Sequence, residues 1–223
     1  MMRAIVLALA LASTSAFAPA SRTVARSVAV EGAKSASIPF LPAQPLLDGS
    51  MVGDFGFDPI GLSNISPLSL PQVVPPAASM AGEPLSTLYW MREAELKHGR
   101  LAQLAICGYA AVDMGAHFLA VPAGISSVAA HDYAVDNGSL GFMLFAAAVL
   151  ELLTTPALFQ ASKGSGREAG DFALDPLNFC NSPEKTADLK LKEITHCRLA
   201  MLAFSGMVTQ SVSVSPEFPY LGI

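Results

Sequence analysis

Residues 95–108 read ELKHGRLAQLAICG, and residues 193–206 read EITHCRLAMLAFSG. Eight of the fourteen positions coincide, among them Glu95 with Glu193, His98 with His196 and Arg100 with Arg198. A second repeat precedes each of these stretches: GDFGFDP at 53–59 and GDFALDP at 170–176. Self-similarity of this kind marks two halves built alike. The two repeated stretches are therefore expected on helices that cross about a pseudo-twofold axis, with the chain between them outside the repeat.

Hydrophobic patterning gives three long helical stretches: about 84–116, 139–160 and 182–213. Pro84 suits a first helical turn, and Ser182-Pro183 makes a good cap and first-turn pair. The middle stretch holds one charged residue, Glu151. At 1.5 Å per residue it is long enough for a hydrocarbon layer of ~30 Å. Apolar residues make up 52% of the chain, charged residues only 14%, and mean hydropathy is +0.47, outside the range of ordinary soluble domains. The fold class expected is an all-α membrane protein with three transmembrane helices, the first and third crossed. A formal charge of −5 without a basic run excludes nucleic acid as a partner. Cys107, Cys180 and Cys197 form no CxxC pair, which argues against a zinc site or a disulfide framework. No Lys or Arg lies between Leu101 and Ser162 or after Arg198, whereas the loop before the third helix is basic. The positive-inside rule then puts that loop and the N-terminal segment on one side of the membrane. Lys163, Arg167 and Lys190 are expected to form a solvated face there, and His117 and His131 to lie in a loop on the other side.

Arg100 or Arg198 alone in hydrocarbon would cost roughly 2.5–3.5 kcal/mol. Its own-helix Glu is five residues earlier, about 140° around the helix, which is awkward for pairing. A twofold-related partner removes the difficulty: Glu95 meets Arg198, and Glu193 meets Arg100. The small residues Gly99, Ala102, Ala105, Cys197, Ala200 and Ala203 would let the backbones approach. Each Glu also stands three residues before a His. Imidazole nitrogen and an Arg-neutralised carboxylate are both suitable axial ligands for a chlorophyll magnesium in lipid. The same Glu-x-x-His pairs also occur in membrane di-iron oxidases. That site needs a carboxylate from each of two further helices, and only Glu151 is at hand.

The segments ELKHGRLAQLA and EITHCRLAMLA resemble the first and third transmembrane helices of the light-harvesting chlorophyll-binding protein family, and GDFGFDPIGLS resembles the segment ahead of its first helix. The resemblance leans toward the chlorophyll a/c (fucoxanthin–chlorophyll-like, red-lineage) branch. It implies that Glu95, His98, Glu151, Glu193, His196 and Gln210 hold chlorophyll magnesium, with Arg100 and Arg198 as ion-pair partners. It also implies carotenoid ends near Asp58 and Asp175. The implied cofactors are chlorophyll a, chlorophyll c and a xanthophyll carotenoid. The implied partners are a photosystem core, neighbouring antenna subunits and membrane lipid. The implied work is light harvesting and excitation transfer in the plastid thylakoid membrane rather than enzymatic catalysis, with photoprotective quenching as the alternative within the family.

Two family features differ: Phe142 and Met143 stand where a further glutamine ligand is common, and no His follows the third helix. At least two fewer side-chain-held pigments are expected than in a fuller member. The domain organisation expected is a signal peptide over 1–16, a transit-peptide-like segment over 17–30, an irregular segment over 31–83, the three-helix chlorophyll-binding domain over 84–213, and a short tail over 214–223. The purified protein is expected to absorb strongly in the red and to contain essentially no iron, as absorption spectra and elemental analysis would show.

Overall fold

The computed structural model describes residues 34–64, 87–116, 121–162, 165–216 and 218–220. The expected leader segments, Pro84, His117 and Lys163 lie outside them. Among the described residues four α-helices follow one 3₁₀ turn at Leu62–Asn64: α1 (Thr87–Asp113), α2 (Ser127–Asp136), α3 (Ser139–Ser162) and α4 (Pro183–Ser213). Among the described residues β structure is limited to one isolated bridge, Lys34 to Pro42. The three long helices stand where patterning put them. α2 was not expected.

Local chemistry explains the helix starts. The Ser182 hydroxyl accepts from the Lys185 N–H, and Pro183 opens α4 with Glu184 in the first turn. The Ser126 side chain caps α2 through the Ala129 N–H. Ser127 is held from α1: its N–H and hydroxyl donate to the Asp113 carboxylate at 2.6 and 2.8 Å. Gly138, at φ +77°, turns the chain from α2 into α3, and the Asn137 side chain accepts from the Ser139 N–H at 2.9 Å.

α1 and α4 pack along each other, and the tightest point is Gly99 against Cys197. A Cβ placed on Gly99 would lie 2.2 Å from the Cys197 Cβ and 2.9 Å from its Cα. Gly99 and Cys197 are 98 residues apart, the same offset as the repeat, so the pseudo-twofold axis passes between them. Cys197 is wholly buried, and Leu96, Ile194, Ala102 and Ala200 are buried around it. Beyond one turn the helices diverge: Ala105 is half-buried and Ala203 exposed, so the close approach is shorter than the run of small residues suggested. Larger groups fill the widening gap. The Tyr109 ring meets Phe204 edge-on at 6.1 Å, and its hydroxyl shares a 2.6 Å hydrogen bond with Ser211.

Outside this narrow core the long helices expose many apolar side chains. Leu101 and Leu104 on α1 are exposed, as are their repeat equivalents Leu199 and Leu202 on α4. Along α3, Phe142, Leu144, Phe145, Leu150, Leu152 and Leu153 are all exposed. A helix apolar on every side belongs in lipid or under apolar ligands rather than in water. Among the described helices α3, over Ser139–Leu158, is apolar and long enough by composition to cross a membrane. α1 and α4, with 27 and 31 residues, have ample length. They carry more charges than α3, and most of these are matched, within the two helices, between them, or by Glu151, Arg167 and Glu168 outside them.

Because Gly99 leaves no room for a side chain, the G99A protein is expected to lose crossed-helix assembly. The double exchange G99C/C197G, which swaps twofold equivalents, is expected to recover much of it. Refolding yield and helical circular dichroism would measure both.

Candidate functional site

The crossing is closed by two reciprocal ion pairs. Arg100 Nε donates to Glu193 Oε1 at 2.7 Å, and Arg198 Nε donates to Glu95 Oε1 at 2.7 Å. Each guanidinium has a second acceptor. Arg100 Nη1 donates to the Gly170 carbonyl at 2.9 Å, and Arg198 Nη1 to the Gly53 carbonyl at 2.7 Å. Gly53 and Gly170 open the second sequence repeat, so each arginine ties together the opposite helix and the loop that leads into that helix. The loops lie hard against the crossing. A Cβ on Gly53 would come 2.7 Å from Ile194, and one on Gly170 would come 2.3 Å from Leu96. Both glycines also have left-handed φ, +73° and +77°.

The two loops repeat one fold in detail. Asp58 accepts from the N–H groups of Leu62 and Ser63, and Asp175 from those of Phe179 and Cys180. Burial pushes the Asp58 carboxyl up, but hydrogen bonds from Ser63, Leu62 and Gly61 outweigh it and hold the group below the ordinary carboxylate value. Backbone donors at Cys180 and Phe179 hold Asp175 low in the same way. Where the first loop uses Gly56 and Gly61 at positive φ, the second has Ala173 and Asn178 at +54° and +56°.

Both histidines are oriented alike. His98 Nδ1 lies 2.8 Å from the Ala94 carbonyl, and His196 Nδ1 lies 2.7 Å from the Lys192 carbonyl. A carbonyl oxygen can only accept, so Nδ1 carries the proton and Nε2 keeps its lone pair. Both rings are exposed. That is the arrangement an axial imidazole ligand requires, with the backbone acting as the partner that orients it. The carboxylates are less symmetric. Glu193 has Arg100 as its cation, whereas Glu95 has Arg198 on one oxygen and Arg92 Nη1 3.1 Å from the other.

Glu151, on α3, is bound across the gap between helices: Lys97 of α1 donates to its Oε2 at 2.6 Å and to Thr154 Oγ1 at 3.3 Å. The Gln210 side chain is exposed near the end of α4, where its backbone carbonyl accepts from the Val214 N–H. His131 is exposed on α2 beside Asp132. Among the described residues, no three His, Cys, Asp or Glu side chains converge as an ion site. With Glu95, Glu193 and Glu151 each held by a cation, the di-iron geometry is not assembled.

Arg167 corrects an expectation. It is not part of a solvated face: its side chain is 9% exposed and clamps Glu93, itself 4% exposed, through Nη1 and Nη2 at 3.2 Å each. Glu93 also accepts from the Gly170 N–H at 2.5 Å. Burial lowers the proton affinity of Arg167, but hydrogen bonding to Glu93 and its charge outweigh that and raise it. A charged group in a loop gives no sequence signal of its partner, and neither Glu93 nor Lys97 was singled out. Lys190 bonds Glu168 at 2.6 Å and remains partly exposed.

A family described as chlorophyll A-B binding protein matches residues 43–212, covering both repeats and all three long helices. The chain belongs to that family. It is 32% identical to chlorophyll a-b binding protein 6, chloroplastic, of Arabidopsis thaliana, over 77% of this chain and 67% of that protein. It is also 32% identical to photosystem I chlorophyll a/b-binding protein 5 of the same plant, over 82% of this chain and 72% of that protein. A fucoxanthin-chlorophyll a-c binding protein of Chattonella marina var. antiqua is 33% identical, over 65% and 66% of the two chains. As a chlorophyll-binding family member, the chain is a three-helix light-harvesting protein of the chloroplast thylakoid membrane, in a family of pigment carriers rather than enzymes.

The unequal surroundings of the two carboxylates predict unequal mutants. R100L leaves Glu193 with no second cation among the described residues, whereas R198L leaves Glu95 beside Arg92. Breaking a fully buried pair costs ~3–5 kcal/mol; these side chains are about a third exposed, so roughly 2–3 kcal/mol is expected for R100L and less for R198L. Thermal melting followed by circular dichroism would rank the two.

Proposed function

We propose that this chain carries chlorophyll on Glu95, His98, Glu151, Glu193, His196 and Gln210, and passes the excitation energy it collects to a photosystem. The observation that carries the proposal is the doubled pairing of an arginine-neutralised carboxylate with an exposed, Nδ1-anchored imidazole three residues further along the same helix. The donor set suits magnesium, a hard cation that accepts oxygen or imidazole nitrogen, and each Glu–Arg pair brings no net charge into lipid. Bound chlorophyll supplies light absorption and an excited state that can hop to a neighbour.

The protein's part is placement. Gly99 and Cys197 set how closely the two ligand-bearing helices approach. The arginines match the charge of the glutamates and fix their carboxylates. The exposed leucines beside them give a flat macrocycle apolar cover. The turns at Asp58 and Asp175 lie ahead of the crossed helices as twin seats for carotenoid ends. Chlorophyll a is the principal pigment, with chlorophyll c and a xanthophyll as accessories. That choice follows the GDFGFDPIGLS segment and the likeness to a fucoxanthin-chlorophyll a-c binding protein. Residues 84–213 form the pigment-binding domain, with the basic loop before α4 on the stromal side. Neighbouring antenna subunits, lipid and a photosystem core cover the exposed apolar faces.

Refolding the protein with chlorophyll a, chlorophyll c and a xanthophyll tests this. Carotenoid excitation is expected to produce chlorophyll fluorescence. H98L and H196L are each expected to lose about one chlorophyll per polypeptide while keeping their helix content. Full pigment content in both variants would overturn the histidine assignment.

A further inference from the structure

The pseudo-twofold symmetry accounts for α1, α4 and their loops, but α3 has no twin and lies on one side of the crossing only. Whatever places α3 must therefore break the symmetry. Lys97 does so. Its repeat equivalent is Thr195, 98 residues on, whose hydroxyl turns back on its own helix to the Leu191 and Lys192 carbonyls at 2.5 and 3.0 Å. Lys97 instead reaches away from α1 to Glu151 at 2.6 Å and Thr154 at 3.3 Å on α3. Its ammonium lies 5.8 Å from the centre of the Phe172 ring, so the loop before α4 backs it.

α3 cannot neutralise Glu151 itself, because residues 139–162 contain no Lys or Arg. A carboxylate among apolar groups is costly unless a cation is paired with it. Lys97 removes that difficulty from outside the helix. Its side chain is 24% exposed against 64% for Glu151, so the cation is the inner member and the carboxylate the outer one. Lys97 occupies Oε2; Oε1 has no partner among the described residues.

We infer that Lys97 is a positioning residue that supplies, from α1, the counter-charge allowing Glu151 on α3 to serve as an uncharged ligand pair for a third carboxylate-held chlorophyll. This rests on the assignment of Glu151 as a ligand, and the experiment separates the two. Apoprotein is refolded with chlorophyll a and a xanthophyll; chlorophyll per polypeptide is read by pigment chromatography, and melting by circular dichroism. E151A is expected to lose about one chlorophyll, and so is K97M. The double variant K97M/E151Q, which offers a neutral amide oxygen and needs no cation, is expected to regain it, and K97R to keep it. If E151A retains its full complement, the ligand assignment fails. If E151A loses a chlorophyll but K97M does not, the role of Lys97 fails while Glu151 stands. If K97M and K97M/E151Q lose the same pigment and melt equally early, Lys97 is only a tie between helices and the inference is overturned.

Discussion

Two guanidinium groups, each shared between a carboxylate of the opposite helix and a carbonyl of the loop leading into it, hold this fold together. A charge in lipid must be matched, and these are matched in trans, so neither helix is satisfied without the other. The same contact does three things. It brings α1 and α4 to backbone distance at Gly99 and Cys197, presses Gly53 and Gly170 onto Ile194 and Leu96, and gives Glu95 and Glu193 each a cation of the opposite helix. Among the described residues few apolar side chains are buried: Leu96, Ile194 and Cys197 at the crossing, a few alanines, Ile38 and Tyr220. Polar connections between elements therefore carry an unusual share of the specificity, with apolar partners still needed along most of each helix.

The crossing was legible in the sequence because it is written twice. The five-residue interval between Glu and Arg rules out convenient pairing within a helix, and duplication names the partner. The three long helices were legible from apolar run length and from Ser182-Pro183. The short α2 was not: its ten residues lack a strong apolar face, and its start depends on Asp113 of α1, a tertiary contact. The connections that break the symmetry were hidden for a related reason. Glu93 and Lys97 stand four residues apart on α1, the spacing of a local ion pair. Each goes elsewhere instead, Glu93 to Arg167 and Lys97 to Glu151. Local spacing cannot anticipate a competitor brought in by the fold.

The candidate ligands were legible as residue types, but their readiness was not. That His98 and His196 each donate Nδ1–H to a carbonyl one turn back, leaving Nε2 outward, is a matter of rotamer and follows only from the folded helix. The different settings of the two repeat glutamates likewise depend on Arg92, whose counterpart in the second copy is Lys190, engaged with Glu168. Twin halves have thus diverged in how they balance charge while keeping the crossing itself.

Gly99 and Cys197 share a place that two separate but identical chains could not fill in this way. On a dyad between identical subunits a residue confronts its own copy, so a side chain there is present on both sides or on neither. Joining the halves in one polypeptide lifts that restriction: one half is bare and the other donates a sulfur-bearing side chain into the vacated space. A single covalent chain can interlock where a homodimer would have to choose between a collision and a hole.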